Sequence, residues 1–389
     1  MNLLVEELLR RIRSVLGDTR VPIPLHVPVL GQAEKDSLSA CVDSGWVSSA
    51  GPDVSRLEEQ LCAFTGAPHT IAVVNGTCGL YLSLHGAGVG SGDEVIMSPL
   101  TFVATGNAVA QLGATPHFVD ADATTLGLNP DALRSRLDSV ATPTTSGCIN
   151  RETGRRIAAI VPVHVLGHPS RITEVVEIAA RHEIPVVEDA AESLGSFRDG
   201  RHTGRWGRFG VISFNGNKVI TTGGGGAILC ECSSEAARIR HLATTAKLAH
   251  PWRFDHDSVA FNFRMPNLNA ALGLAQMARL QELLDRKRRL ADAYASALAG
   301  LDGVEFIGEP NGTKSNYWLN SIRLNIRHPT LLEEALTAMH TRGYLARPLW
   351  TPLSQLPMFH TAPRGDLSEA IRLAQTVICL PSSPGLAKD

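Results

Sequence analysis

Lys218 is the residue whose type and setting in this sequence best suit covalent chemistry. It lies between an apolar run at 211–214 and four consecutive glycines at 223–226. A buried ammonium group is costly unless it is paired or used covalently, and desolvation lowers the pKa of a lysine towards the range in which the neutral amine is a nucleophile. Lys218 is therefore a candidate Schiff-base lysine, although a lone lysine in a glycine-rich turn is more often simply exposed.

Asp189 is the second candidate, because it ends the β-branched run that starts at Ile184. Such a run is typical of a buried strand, and ligands of open α/β sheets bind at the carboxyl ends of the strands. An acid in this place can pair with a pyridinium nitrogen, as pyridoxal phosphate sites require. Asp189 could equally be the N-cap of a helix that begins at Ala190.

The third candidate is the turn at Asn75, Gly76 and Thr77, between a strand-like run and a helical pattern. The free N–H groups of a helix N-terminus and the positive end of its dipole favour a phosphate group there. Any capped helix offers as much, so this turn matters because it accompanies Lys218 and Asp189.

The elements that must position these residues alternate between short β-rich runs and helical stretches from residue 71 to about 260. This alternation predicts βαβ units, and hence an α/β fold with a largely parallel mixed sheet. No G-x-G-x-x-G motif follows the first strand, so a Rossmann dinucleotide site is disfavoured. We expect a large domain over 33–260 and a smaller α+β domain over 261–389, joined by one long helix that begins at Asn267.

The N-terminal residues carry charges throughout, and apolar residues recur on one helical face. These apolar residues are Leu4, Leu8, Ile12 and Val15. The pattern predicts an amphipathic helix over 1–20 that a partner or a domain edge covers, rather than a signal peptide. Prolines then predict an extended arm, so that helix and arm together occupy 1–32.

Composition excludes several classes of function. The 389 residues are 44% hydrophobic with a formal net charge of −2 and no long basic run, which disfavours nucleic acid and anionic membranes as partners. The seven cysteines form no CxxC pair and no metal-ligand spacing, so we expect no metal and a reducing cytoplasm. No apolar stretch reaches the ~18 residues of a membrane span.

Five segments in register resemble the DegT/DnrJ/EryC1/StrS family of sugar aminotransferases, which are pyridoxal phosphate enzymes of fold type I. They are NGTCGLYLSL, SPLTFVATGNAV, VVEDAAESLGS, SFNGNKVITTGGGG and FNFRMPNLNAALGLAQ. The resemblance extends from about Pro22 to the last helix. It implies pyridoxal 5′-phosphate as cofactor, L-glutamate as amino donor, a nucleotide sugar as acceptor, and a homodimer with shared active sites.

The resemblance also implies roles for single residues. Lys218 and Asp189 would be catalytic. The cofactor-binding residues would be Gly76, Thr77, Phe102, Asp189, Glu192, Ser213, Lys218 and Asn262. Phe102 would stack on the pyridine ring, although a phenylalanine is far more often core, and Asn262 would reach the cofactor phosphate of the neighbouring subunit. Many relatives have Gln or His where this chain has Glu192, whose carboxyl group would either carry a proton to donate or act as an acceptor.

Substrate contacts are less defined by the motifs. The candidates are Trp46, Ser48, His164, Lys247 and Trp318. Trp46 could instead be a core residue, since tryptophan is usually largely buried. His164 follows a buried strand and would face the sugar, or else it is a hydrogen-bonded core histidine.

Four further segments resemble the branch of the family that aminates C4 of UDP-linked 4-keto-6-deoxy-N-acetylhexosamines. They are PLHVPVLGQAE, DSGWVSSAG, NYWLNSIRL and ARPLWTPLSQLPMF. One departure is Ser354, which follows Pro352 and Leu353 where many relatives have histidine. The alternatives are an aminotransferase for a dTDP- or GDP-linked 3- or 4-ketosugar, a dehydratase of the same fold, or a non-catalytic regulatory protein; the last two usually lack the lysine.

Overall fold

The computed structural model describes residues 3–18, 20–144, 147–325 and 330–387. The helices in these ranges are α1 (Leu3–Leu16), α2 (Gln32–Asp43), α3 (Pro52–Thr65), α4 (Gly76–Gly86), α5 (Val103–Gln111), α6 (Pro130–Val140), α7 (Ile172–Arg181), α8 (Ser233–Ala243), α9 (Asn267–Met277), α10 (Leu280–Leu298), α11 (Leu331–Thr341) and α12 (Ser368–Thr376).

The strands in the same ranges are mostly short. They are β1 (His69–Val73), β2 (Glu94–Met97), β3 (Thr115–Phe118), β4 (Ala141–Thr144), β5 (Gly147–Asn150), β6 (Arg156–Val161), β7 (Val187–Asp189), β8 (Phe197–Arg198), β9 (Arg201–His202), β10 (Phe209–Ser213), β11 (Gly226–Cys230), β12 (Val304–Phe306), β13 (Thr313–Lys314), β14 (Ser321–Leu324), β15 (Arg347–Pro348) and β16 (Val377–Cys379).

The central layer consists of two sheets that meet side by side. Their strand orders are β1-β11-β10-β7 and β3-β2-β6-β5-β4. Parallel bridges from Ile160 to Val186 and from Val163 to Asp189 join β6 to β7. β2 is parallel to β3 and β6, and β10 is parallel to β7, whereas β11 runs antiparallel to β1 and β10. This confirms the predicted α/β fold with a mixed sheet.

Both faces of this layer are covered, which explains the uninterrupted apolar runs of its strands. Successive strand residues point to opposite faces, so Val211 and Ile228 pack into one core while Ile212 and Ala227 pack into the other. Such strands must lie between two layers of helices.

The C-terminal elements form a separate core around the sheet β12-β14-β16-β15. The N-terminal helix α1 contributes to this core, since Leu8 and Ile12 are fully buried together with Tyr294 of α10. The apolar face predicted for residues 1–20 is therefore covered by C-terminal elements; residues 1, 2 and 19 lie outside the described residues. The boundaries at residues 32 and 260 stay predictions.

The single long helix predicted from Asn267 is wrong, because the structure has two helices, α9 and α10. Between them Arg279 has a ψ of 0°, which is outside the helical range. α9 packs against α2 and α3, whereas α10 packs against α1. Leu283, near the start of α10, still packs in the core that contains Ala270 of α9, and neither Pro nor Gly marks the break between the two helices in the sequence.

Candidate active site

A cavity of about 1080 Å³ opens where β7 and β10 end at Asp189 and Ser213. Residues of the N-terminal arm, the central layer and the C-terminal elements line it. The sequence-predicted residues among them are Gly76, Thr77, Phe102, Asp189, Glu192, Ser213, Lys218 and Trp318. The structure thus brings together most of the predicted cofactor site.

Lys218 follows β10 in a tight turn, in which its N–H donates to the Asn215 carbonyl over 3.0 Å. Its side chain is 13% exposed, and Nζ lies 3.6 Å from Glu192 Oε1 and 3.8 Å from the centre of the Trp318 ring. Burial lowers the pKa of the Lys218 amine, and the carboxyl groups of Glu192 and Asp189 oppose that shift. The amine is therefore closer to its nucleophilic neutral form than a lysine in water.

Asp189 is buried at the last position of β7. Its Oδ2 accepts a hydrogen bond from Thr105 Oγ1 at 2.7 Å, and Oδ1 accepts one from the Ala191 N–H at 3.1 Å. Burial raises the pKa of this carboxyl group, and a cationic partner would reverse that effect. Residues 190–196 form turns, so the alternative of a helix N-cap is not what the structure shows.

The turn at the start of α4 forms a cradle with the end of β10. Asn75 Oδ1 caps the helix by accepting the Cys78 N–H over 2.7 Å, which leaves Gly76 and Thr77 in its first turn. A Cβ at Gly76 would lie 3.1 Å from the Cβ of Ser213, and one at Gly226 would lie 2.8 Å from the Gly76 nitrogen. A side chain at Gly226 would collide with the backbone, so glycine is required there, whereas the contact at Gly76 would only be tight. The N–H and hydroxyl groups of this cradle suit a phosphate.

Phe102 and Glu192 complete the inner part of the cavity. Phe102 is 53% exposed, so it is not a core residue, and its ring is available to a flat ligand. Glu192 is 5% exposed, and its Oε2 accepts the N–H of Leu166 over 2.8 Å. Burial raises the pKa of Glu192 to about 7, so this group can either hold or release a proton near neutral pH.

Trp318 forms a wall beside Lys218. Its indole N–H donates to the Asn217 carbonyl over 2.7 Å, which fixes the ring against the Lys218 amine. The predicted substrate residue is thus placed where it covers the reactive amine.

Four predicted residues lie on the surface outside this cavity. Trp46 is 55% exposed and Ser48 is exposed, so the alternative of a core role for Trp46 is wrong. Lys247 is exposed, with its amine 3.7 Å from the centre of the Phe254 ring. Asn262 is also exposed.

His164 corrects the expectation that it faces the sugar. Its side chain is fully buried, Nε2 pairs with Glu188 Oε2 at 2.9 Å, and Nδ1 accepts the Ser170 N–H over 3.1 Å. Both ring nitrogens are therefore used within the protein, as the alternative of a core histidine requires.

The outer part of the cavity contains residues that the sequence reasoning did not single out. They are His26, His340, Arg347 and Trp350. His26 lies in the N-terminal arm and the others follow or end α11, so no local motif joins them. Ser354, where many relatives have histidine, is buried and does not line the cavity.

The fold and this site are those of a pyridoxal phosphate-dependent aminotransferase. The model of the DegT/DnrJ/EryC1/StrS aminotransferase family matches residues 28–389, and the chain belongs to this family. The resemblance seen in the sequence is thereby confirmed, and the protein is a sugar aminotransferase.

Its relatives agree with this class. The chain is 33% identical to the "Putative pyridoxal phosphate-dependent aminotransferase EpsN" of Bacillus subtilis (strain 168), covering 94% of this chain and 92% of that protein. It is also 33% identical to a GDP-perosamine synthase of Vibrio cholerae, covering 94% and 95%. The crystal structure of the aminotransferase TlmJ from Streptoalloteichus hindustanus superposes with a TM-score of 0.84 at 29% identity, covering 93% of each chain.

The residues present fit the cofactor that this family uses, pyridoxal 5′-phosphate. The Gly76 and Ser213 cradle suits its phosphate group, buried Asp189 its ring nitrogen, Phe102 its flat face and Lys218 its aldehyde. Within the described ranges no three His, Cys, Asp or Glu side chains are grouped so that they could hold a metal ion. No helix of those ranges is long and apolar enough to cross a membrane.

Proposed function

We propose that this enzyme transfers an amino group from L-glutamate to C4 of a nucleotide-linked 4-keto-6-deoxy sugar, with UDP-2-acetamido-2,6-dideoxy-hexos-4-ulose as the favoured acceptor. The observation that carries the proposal is the setting of Lys218. Its amine has a lowered pKa, faces a cavity, and lies between the Glu192 carboxyl group and the Trp318 ring. A dehydratase or a regulatory protein would have no need of such an amine.

Three side chains would share the work around the bound cofactor, which supplies an electron sink for the substrate carbon. Lys218 would accept the proton from that carbon and return it, because burial lowers the pKa of its amine and so favours the neutral, basic form. Asp189 would pair with the ring nitrogen and keep its proton in place. Glu192, with its pKa raised to about 7, would hold or release a proton beside the Lys218 amine.

The acceptor assignment is supported by where the branch-specific segments lie. Of the four segments that resemble the UDP-sugar branch, three contribute to the cavity: His26 belongs to PLHVPVLGQAE, Trp318 to NYWLNSIRL, and Trp350 to ARPLWTPLSQLPMF. A cavity of about 1080 Å³ is slightly larger than the usual range for small-molecule sites, ~300–1,000 Å³, so it has room for a substrate beside the cofactor.

A GDP-linked 4-keto-6-deoxy sugar is the second candidate. Several relatives at 31–33% identity are named GDP-perosamine synthase, and this is the observation that favours a GDP-linked acceptor. Both candidates share the reaction and differ in the nucleotide and in the acetamido group.

The test is a panel of acceptors offered to the cofactor-loaded enzyme with L-glutamate. UDP-, GDP- and dTDP-linked 4-keto-6-deoxy sugars are supplied separately, and mass spectrometry identifies aminated products. We expect the UDP-linked acetamido sugar to react fastest. Preference for the GDP-linked sugar would support the second candidate, and equal turnover of a dTDP-linked sugar without the acetamido group would remove the basis for either.

We further propose a cytoplasmic homodimer in which Asn262 reaches the cofactor phosphate of the partner subunit. The supporting observations are that Asn262 is exposed outside the cavity of its own chain, and that exposed apolar side chains lie in the adjoining loop. These side chains are Trp252, Phe254 and Val259. The seven cysteines are all free, as is typical of a reducing compartment.

Subunit mixing tests the shared site. Lys218→Ala and Asn262→Ala are each defective, but a mixed dimer would have one site with both lesions and one with neither. Random exchange should therefore restore about a quarter of wild-type activity, because half of the dimers are mixed and each has one intact site. No recovery despite demonstrated exchange would place Asn262 in the site of its own subunit.

A further inference from the structure

His26 is a polar side chain that lines the cavity. It is 8% exposed, and among the described residues neither of its ring nitrogens has a hydrogen-bond partner. Buried polar groups in folded proteins are nearly always hydrogen-bonded, so an orphaned imidazole in a ligand cavity requires a partner from the ligand or from water. The cavity that it lines is the one that contains Lys218.

The backbone on both sides of His26 is fixed. The Leu25 carbonyl accepts the N–H of Ser382 over 2.7 Å, and the Val27 N–H donates to Ser383 Oγ over 2.9 Å. The arm is therefore held against residues 382–383 immediately before and after His26. An anchored residue is suited to a defined hydrogen bond, because little freedom is lost when the ligand binds.

The segment 382–383 is also linked to the wall of the cavity that Trp318 forms. Lys287 Nζ donates to the Ser382 carbonyl over 2.7 Å and to the Trp318 carbonyl over 3.0 Å. The Lys287 amine therefore binds both Ser382, whose neighbourhood holds His26, and Trp318, which covers Lys218. His26 is thus placed relative to the reactive amine by hydrogen bonds within the protein.

The charges around His26 decide which ligand group it suits. Burial lowers the pKa of the imidazole well below its ordinary value, and the nearby Lys287 and Lys218 amines lower it further. A neutral imidazole has one N–H donor and one nitrogen acceptor. A carboxylate only accepts and would leave the second nitrogen orphaned, whereas hydroxyl groups both donate and accept.

We propose that His26 is an acceptor-binding residue that hydrogen-bonds hydroxyl groups of the sugar and does not take part in binding the carboxylates of the amino donor. This inference rests on the proposed function and assigns the arm to one of its two substrates. His26 would contribute to the second half-reaction, in which the sugar is aminated, and not to the first.

The experiment separates the two half-reactions of the cofactor-loaded enzyme by stopped-flow absorbance. His26→Phe keeps a ring but removes both nitrogens, and His26→Gln restores a donor and an acceptor. For His26→Phe we expect the second-order rate constant with the ketosugar to fall about tenfold, the value of one hydrogen bond of ordinary strength, while that with L-glutamate stays within about twofold. His26→Gln should recover part of the loss.

A binding measurement gives a second readout that needs no turnover. Calorimetry compares UDP-N-acetylglucosamine with UDP, and GDP-mannose with GDP, because the two members of each pair share the nucleotide and only one of them carries a sugar. In the wild type the sugar should add affinity in one pair, and His26→Phe should remove most of that difference. His26→Leu replaces His26→Phe if the latter does not load cofactor.

Several outcomes would overturn the inference. Equal losses in both half-reactions would show a structural role, a loss with L-glutamate alone would assign His26 to the donor, and an unchanged ketosugar rate would show no role. A wild-type enzyme that reacts with L-glutamate but with no ketosugar would instead overturn the proposed function, and the inference with it. The two failures are therefore distinguishable.

Discussion

Lys218 and Lys287 are both buried lysines, yet their surroundings are opposite. The Lys287 side chain is fully buried in α10, and its amine donates to two backbone carbonyls at 2.7 and 3.0 Å. The Lys218 amine faces the cavity, where it lies 3.6 Å from the Glu192 carboxyl group and next to the Trp318 ring. Burial lowers the pKa of both amines.

The difference shows that a lowered pKa does not by itself make a lysine catalytic. The amine of Lys287 is occupied by carbonyls that fix the walls of the cavity, so its nitrogen cannot approach a substrate. The amine of Lys218 makes weaker contacts and opens onto the space where a ligand binds. Accessibility and partner chemistry distinguish the lysine that we propose to be catalytic from the structural one.

The largest expected effect is on turnover. Lys218→Ala should abolish activity, since general acid–base catalysis alone is worth about 10²–10⁴-fold and the covalent role is lost as well. The fold should persist, because the substitution trims one side chain at the edge of a cavity. Steady-state rates and circular dichroism measure the two parts, and a variant that keeps more than a few per cent of the wild-type rate would show that Lys218 is not the catalytic lysine.

The corresponding substitution at Lys287 should lower the stability of the fold. Lys287→Met leaves the Trp318 and Ser382 carbonyls without their donor, which should lower the free energy of unfolding by about 2–4 kcal/mol. Urea denaturation measures this, with the exposed Lys314→Met as control. If activity per cofactor-loaded site fell as far as in Lys218→Ala, the contrast between the two lysines would be lost.

A pH-dependent effect should come from the carboxyl group beside Lys218. The pKa of Glu192 is raised from 4.5 to about 7 in the cofactor-free protein, so between these values the folded state keeps a proton that the unfolded chain has released. The free energy of unfolding therefore falls as pH rises through this window. Relative to Glu192→Gln, which cannot titrate, the wild type should lose at most about 3 kcal/mol, at about 1.4 kcal/mol per pKa unit. Urea denaturation of both proteins at several pH values in this window measures the difference. If the free energy of unfolding changed with pH equally in the wild type and in Glu192→Gln, the prediction would be wrong.

The smallest effect is expected at the second carboxyl group near Lys218. Thr105→Val removes the hydroxyl group that donates to Asp189 Oδ2 but keeps the side-chain shape. The loss of one hydrogen bond of ~1 kcal/mol should lower kcat about fivefold, and the pKa of Asp189 should rise because that bond favours the charged form. A pH–rate profile measures both kcat and this pKa, and the exposed Thr341→Val is the control. A profile unchanged in Thr105→Val would show that Thr105 does not affect the pKa of Asp189.

The inner part of the cavity could be predicted because its residues follow strands within continuous motifs. Asp189 and Ser213 are the last residues of their strands, Gly76 begins α4 three positions after β1 ends, and such ends converge at one edge of the sheet. Lys218 lies five positions after the last residue of β10, in the same motif. Short-range sequence patterns therefore carry this part of the site.

The remainder depends on contacts between distant segments. His26, Trp350 and Arg347 meet in one cavity although some 320 positions separate the arm from the others, and no local pattern marks their convergence. His164 follows a buried strand as Asp189 does, but its partner Glu188 lies on the neighbouring strand and holds it within the core. The break in the helix at Arg279 likewise has no Pro or Gly to mark it in the sequence.

The arm that carries His26 has a consequence for how the chain matures during synthesis. Val27 finds its hydrogen-bond partner Ser383 only 356 positions later, and Leu25 bonds to the adjacent Ser382. Contacts of such long range form late and slow folding. While the ribosome is still adding the residues up to 383, Leu25 and Val27 lack these two hydrogen-bond partners, so the segment around His26 is fixed only after the central sheet can form.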